Sequence, residues 1–167
     1  MNYAKVMIFG RPGSGKSTFA LRISKSTGLK LYHLDKYFYE ANWVERDYQK
    51  FLEDQQILVN QERWIIDGNS TKSLEMRYSK ADLVLYFNYP RAICYWRILK
   101  RLFYKTKEID DRADGCKETV RWSLLKYMWS FENRVAKQLA DLKQKYPHCN
   151  FMEITSDKDL THLISKK

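Results

Sequence analysis

The stretch that most restricts how this 167-residue chain can fold lies near its start. Residues 10–18 read Gly-Arg-Pro-Gly-Ser-Gly-Lys-Ser-Thr, which places Gly10, Gly15, Lys16 and Ser17 at the spacing G-x-x-x-x-G-K-[ST]. An apolar segment, Lys5–Phe9, precedes the run, and a helix-forming segment follows from about Lys16 to Ser26 and stops near Gly28. Strand, glycine loop and helix in that order make a loop that wraps an anion. The glycines let backbone N–H groups turn toward phosphate oxygens, and the helix points its positive end at the same place. Lys16 supplies a mobile ammonium for the outer phosphates, and Ser17 offers a hydroxyl to Mg²⁺. Gly10, Arg11, Pro12, Gly13, Ser14, Gly15, Lys16, Ser17 and Thr18 are therefore the expected nucleotide-binding residues, with ATP and Mg²⁺ as the expected cofactors.

The remainder continues to alternate. Strands are expected at Leu31–Leu34, Trp64–Ile66, Leu83–Phe87 and Phe151–Ile154. Helices are expected at about Glu45–Asn60, Leu74–Lys80, Pro90–Tyr104 and Lys117–Lys145, with a last one starting at Ser156. In the long helix, Leu124, Met128, Phe131, Val135, Leu139, Leu142 and Tyr146 form one apolar stripe. The pattern is that of an α/β fold, three layers with about five parallel strands. The length suits a single domain over residues 1–167, with an acceptor insert at about 36–63 and a charged, weakly periodic lid at about 105–116.

In parallel sheets, ligands bind at the carboxyl ends of the strands. Two carboxylates are expected there. Asp35 closes the second strand, where it can take a proton from an acceptor hydroxyl or help hold Mg²⁺; a capping role is the plainer alternative. Asp67, in Trp64-Ile-Ile-Asp-Gly, has the pattern of a Mg²⁺-organising carboxylate, against a simple Asp-Gly turn. Arg97 and Arg101 lie four apart on the helix after Pro90 and share a face, with Arg91, Lys100 and Lys105 near them. Arginines so placed can grip phosphate or decorate a solvated face. Tyr37, Phe38, Tyr39 and Trp43 can floor an acceptor pocket or pack a small insert, while Trp122 and Trp129 read as core or interface residues.

The formal net charge of +10 favours anionic partners. No apolar run approaches the length of a membrane span, and no secretory signal is expected at the start, so no membrane partner is expected. Cys94, Cys116 and Cys149 form no zinc spacing and read as reduced thiols of a cytoplasmic protein, Cys94 and Cys149 in the core.

Gly10–Thr18, Asp67-Gly68 after an apolar strand, and Pro90…Arg97…Arg101 resemble the adenylate-kinase group of P-loop kinases. A closer resemblance covers nearly the whole chain. Leu34-Asp35-Lys36, Asn42-Trp43, Trp64–Asn69, Arg77–Pro90 and Gly115-Cys116 are similar to the DNA topology modulation, or FlaR-like, proteins. The resemblance implies that Lys16 and Ser17 bind triphosphate and Mg²⁺, that Asp67 orders Mg²⁺-bound water, that Arg97 lies against the adenine, and that Arg101 nears the transferring phosphate. The chain departs from adenylate kinases after Asp67-Gly68, with Asn69-Ser70-Thr71 where that group has Phe-Pro-Arg.

The expected activity is an ATP-dependent phosphotransferase acting on a small-molecule acceptor, a nucleoside, nucleotide or other hydroxyl compound, with Lys16, Asp35, Arg97 and Arg101 as its catalytic set. The alternative is an ATP-binding, nucleic-acid-associated protein, supported by the charge and by aromatics among basic residues such as Tyr95-Trp96-Arg97. Nucleic acid is not expected as a substrate.

Overall fold

Apolar runs without alternation, such as Trp64–Ile66 and Leu83–Phe87, must be covered on both faces, and a parallel sheet with helices on each side does this. The computed structural model describes residues 3–103, 113, 115–116 and 122–165. In chain order its strands are β1 (Lys5–Gly10), β2 (Leu31–His33), β3 (Tyr39–Glu40), β4 (Val44–Glu45), β5 (Trp64–Asp67), β6 (Leu83–Phe87) and β7 (Asn150–Ile154). The helices are α1 (Lys16–Thr27), α2 (Leu34–Phe38), α3 (Tyr48–Val59), α4 (Leu74–Tyr78), α5 (Arg91–Phe103), α6 (Trp122–Lys145) and α7 (Asp157–Ser165). Five strands form one parallel sheet in the order β2-β5-β1-β6-β7, and β3 and β4 make a separate antiparallel hairpin.

The core has two halves, one on each face of the sheet. Met7, Phe9, Trp64 and Ile66 point to the side covered by α3, α4 and α6, while Val6, Ile8, Ile65 and Leu85 point to the side of α1, α5 and α7. The stripe of α6 behaves as its spacing predicts: Met128, Phe131, Val135, Leu139 and Leu142 are all buried. Cys94 and Cys149 are buried thiols. Trp122 and Trp129 are not core residues, being 73% and 62% exposed.

Two boundaries differ from the sequence reading. The second strand stops at His33, so Asp35 lies in the first turn of α2 and does not end a strand. The cause is pairing. β2 is an edge strand whose one partner, β5, ends at Asp67 opposite His33, so Leu34 has no ladder to continue. It turns inward instead and is buried beside Gly68. The next helix starts at Tyr48 and not at Glu45, because Glu45 pairs with Tyr39 in the hairpin. Asp47 then caps α3, its side chain accepting from the Lys50 N–H at 2.9 Å. Most of the expected lid, and residues 117–121 of the expected long helix, lie outside the described residues.

Candidate active site

The loop between β1 and α1 is held against its surroundings by backbone contacts that tolerate no side chain. A Cβ on Gly10 would stand 2.3 Å from the Phe87 carbonyl oxygen, and one on Gly13 would stand 2.5 Å from that of Cys94. Gly10 donates its N–H to Asn69 Oδ1 at 2.9 Å, and Arg11 donates its own to the Phe87 carbonyl at 3.1 Å. The Arg11 side chain runs inward, away from the loop's open face. It is 2% exposed, donates to the Tyr89 carbonyl, and meets Glu132 Oε2 at 3.2 Å. Pro12 to Thr18 line a cavity of about 1340 Å³, whereas Gly10 and Arg11 shape the loop from behind.

Asp67 ends β5 at the mouth of this loop and is 3% exposed. His33 Nδ1 lies 2.9 Å from its Oδ2, and Lys16 Nζ lies 3.7 Å from its Oδ1. Burial alone would raise the carboxyl's pKa. The Lys16 charge and the His33 hydrogen bond outweigh it and hold Asp67 below the usual carboxylate range, so it is an anion. Oδ1 is buried and accepts no hydrogen bond among the described residues. That oxygen, with the Ser17 hydroxyl one residue after Lys16, is a pair of hard oxygen donors, the set that Mg²⁺ takes alongside water and phosphate. The loop after β5 is pinned by Arg77, which is fully buried and donates to the carbonyls of Gly68 at 2.8 Å and Ser70 at 2.6 Å. Burial lowers the pKa of this guanidinium to about 10, which leaves it charged.

Arg97 rests on the loop itself. Its Nη1 donates to the Ser14 carbonyl at 2.8 Å, its Nη2 lies 3.1 and 3.2 Å from the two Asp157 oxygens, and its plane sits 4.7 Å from the Tyr89 ring centre. Arg101 and Lys100 line the same cavity. Arg91 does not; it lies over the Trp129 ring at 4.8 Å on the α5–α6 seam.

Across the cavity is an aromatic wall built from α2, the hairpin and α3. Phe38 meets Tyr39 and Phe51 with ring centres 4.7 and 4.9 Å apart, and Tyr39 meets Trp43 at 5.2 Å. Asp35 lines the cavity from the first turn of α2, displaced from a strand end yet facing the same space as Lys16 and Ser17. Tyr127 of α6 stands near it: burial, and next the Asp35 charge, push the phenol up to about 12. The tip of the hairpin is tied to Gly115 and Cys116. Trp43 donates its N–H to Cys116 Sγ at 3.3 Å, and the thiol lies 3.2 Å from the Glu40 carbonyl.

The structure thus gathers Lys16, Ser17, Asp35, Asp67, Arg97 and Arg101 around one space, and leaves the side chain of Arg11 out of it. Sequence reasoning passed over His33, Asp157 and Tyr127. His33 and Asp67 are partners only because β2 pairs with β5 across 34 positions, and no local pattern announces that.

No family model matches the chain, and no curated protein matches it. Solved structures do. A deoxyadenosine kinase from M. mycoides, solved with products dCMP and dCDP and also with dATP, matches at 16% identity over 97% of both chains with a TM-score of 0.55 in the product complex. Shikimate kinase from Acinetobacter baumannii, in complex with shikimate, matches at 10% identity over 99% of this chain and 96% of its own, with a TM-score of 0.61. At these identities the likeness establishes the fold: a three-layer α/β/α P-loop kinase fold.

Proposed function

We propose that the chain is a small-molecule kinase of the adenylate-kinase kind, kin to the FlaR-like proteins, that moves the γ-phosphate of ATP onto a hydroxyl of a small acceptor in the cytoplasm. One observation supports this above the others. A single cavity runs from the phosphate-binding loop, with Lys16 and Ser17, to a carboxylate and an aromatic wall on the far side. A switch ATPase needs only the first half of that arrangement. The solved neighbours, a deoxyadenosine kinase and a shikimate kinase, are consistent with it.

In this reading, residues 12–18 and the start of α1 cradle the triphosphate. Ser17 and Asp67 would hold Mg²⁺, which when bound would neutralise charge on the triphosphate. Asp35 accepts the proton of the acceptor hydroxyl as its oxygen bonds to the γ-phosphorus and ADP leaves. Arg97, clamped by Asp157 and Tyr89, borders the nucleotide, and Arg101 meets charge developing on the transferring group.

The test is a screen of ATP consumption over nucleosides, nucleotides and small hydroxyl metabolites, run on the wild type and on Lys16→Ala. The expected result is acceptor-dependent conversion of ATP to ADP in the wild type, lost in the variant together with most ATP affinity by calorimetry. Turnover stimulated by DNA and by no small acceptor would overturn the reading.

A further inference from the structure

On the acceptor side of the cavity, two cations are laid on aromatic faces. Lys72 Nζ sits 5.7 Å from the ring centre of Tyr48, and the Arg134 guanidinium sits 5.7 Å from that of Tyr127; all four residues line the cavity. They are neighbours in the fold. Thr71, the residue before Lys72, accepts a hydrogen bond through its carbonyl from Gln138 at 3.1 Å, and Gln138 lies one helical turn beyond Arg134 on the same face of α6.

Several other cations have counter-ions that these two lack among the described residues. Arg46 meets Asp54 and Glu40, Arg97 meets Asp157, and Lys145 meets Glu75. Neither Lys72 nor Arg134 pairs with a carboxylate among the described residues; Arg134 donates only to Ser130 Oγ, at 2.9 Å. Two cations without a carboxylate, converging over aromatic rings in a cavity of this size, make a positive patch beside flat apolar walls. Flat walls favour a planar ring by stacking, and the patch favours a fixed negative charge.

Resting on the kinase reading above, we infer that the acceptor is a planar ring compound carrying an anionic group, and that Lys72 and Arg134 hold that anion. The loop after β5 carries no cationic side chain at Asn69-Ser70-Thr71, and its Asn69 Oδ1 and Ser70 carbonyl are acceptors taken by the Gly10 N–H and by Arg77. The anion is instead held from the next turn of chain and from α6. A phosphate and a carboxylate satisfy the same chemistry.

The experiment uses matched pairs that keep the acceptor hydroxyl: nucleosides against their 3′-monophosphates, and aromatic hydroxy acids against their amides. ATP consumption and calorimetric binding are measured on the wild type, Lys72→Gln, Arg134→Gln and the double variant. Both residues are exposed, so the variants should fold. The expected result is that the charged member of one pair is the better substrate, and that each substitution raises its KM by about 10- to 100-fold. kcat, ATP affinity and the KM of the neutral member should hardly change. Which pair responds decides between phosphate and carboxylate. Equal use of neutral and charged members, or an unchanged KM in the double variant, overturns the anion site while leaving the kinase reading in place. Absence of binding by every charged ring, with Lys16-dependent ATP binding intact, overturns it too. Loss of the kinase reading itself would look different: no acceptor of either charge would consume ATP.

Discussion

The two ends of the cavity use left-handed backbone in opposite ways. In the phosphate loop, every residue of positive φ is a glycine: Gly10, Gly13 and Gly15. In the hairpin at the end proposed to hold the acceptor, the residues of positive φ are Asn42 and Trp43, at 61° and 62°. Where the backbone lies against the Phe87 and Cys94 carbonyls, a side chain would only obstruct, so glycine serves and its spacing becomes a motif. Where a side chain must be displayed from a tight turn, the strain is carried by the residue displayed. Evidence of the first kind is written in the local sequence; the second is not.

The largest effect that can sharpen this contrast is at Asp35. It stands at the junction of the two regions, on a short helix and not on a strand end. If its carboxylate takes the acceptor's proton, Asp35→Asn should slow transfer by roughly 10²- to 10⁴-fold with ATP binding little changed. Single-turnover kinetics with a responding acceptor make the measurement. Normal turnover would reduce Asp35 to an acidic residue of the first turn of α2.

Next in size is the rigid end. In Gly10→Ala, the new Cβ would stand 2.3 Å from a carbonyl oxygen that already accepts the Arg11 N–H. β1 and β6 would have to separate at the point where the loop begins. Overpacking and backbone strain together should cost about 2–4 kcal/mol in denaturant unfolding. A loss under about 1 kcal/mol would mean that the loop yields, and that the rigid–strained contrast between the two ends is false.

Legibility divides along the same line. The loop, all five parallel strands to within one residue, and the stripe on α6 follow from local pattern, because each is a contiguous run with its own period. The acceptor end does not. α2 and the hairpin together occupy Leu34–Glu45, in pieces of two to five residues too short for periodicity to register. His33 and Asp157 gain their partners, Asp67 and Arg97, from strand order and helix docking at separations of 34 and 60 positions. Arg11 misled for a related reason. Its place in the motif said phosphate, but its side chain is recruited by Tyr89 and Glu132, which the fold brings behind the loop.

The smallest effect tests whether the strain at Trp43 is kept for its side chain. Trp43 is half-buried, its ring against Tyr39 and its N–H donated to Cys116 Sγ. In Trp43→Gly the N–H remains and the left-handed conformation becomes easy, a gain of about 1–2 kcal/mol. The lost ring contact is worth about 0.5–1.5 kcal/mol beyond its area, and the unfolded chain gains freedom worth a few tenths more. Loss of the ring's buried area costs roughly 2 kcal/mol more, so the net change should be a loss of about 1–3 kcal/mol of unfolding free energy. The acceptor's KM should nevertheless rise several-fold, with the KM for ATP unchanged, since the ring lines only the acceptor end. Trp43→Phe keeps a ring and the strain, and should retain most acceptor affinity. Were Trp43→Gly instead to lose stability at constant acceptor KM, the tryptophan would be a packing residue of the hairpin, and its conformation a cost borne for the fold and not for the ligand.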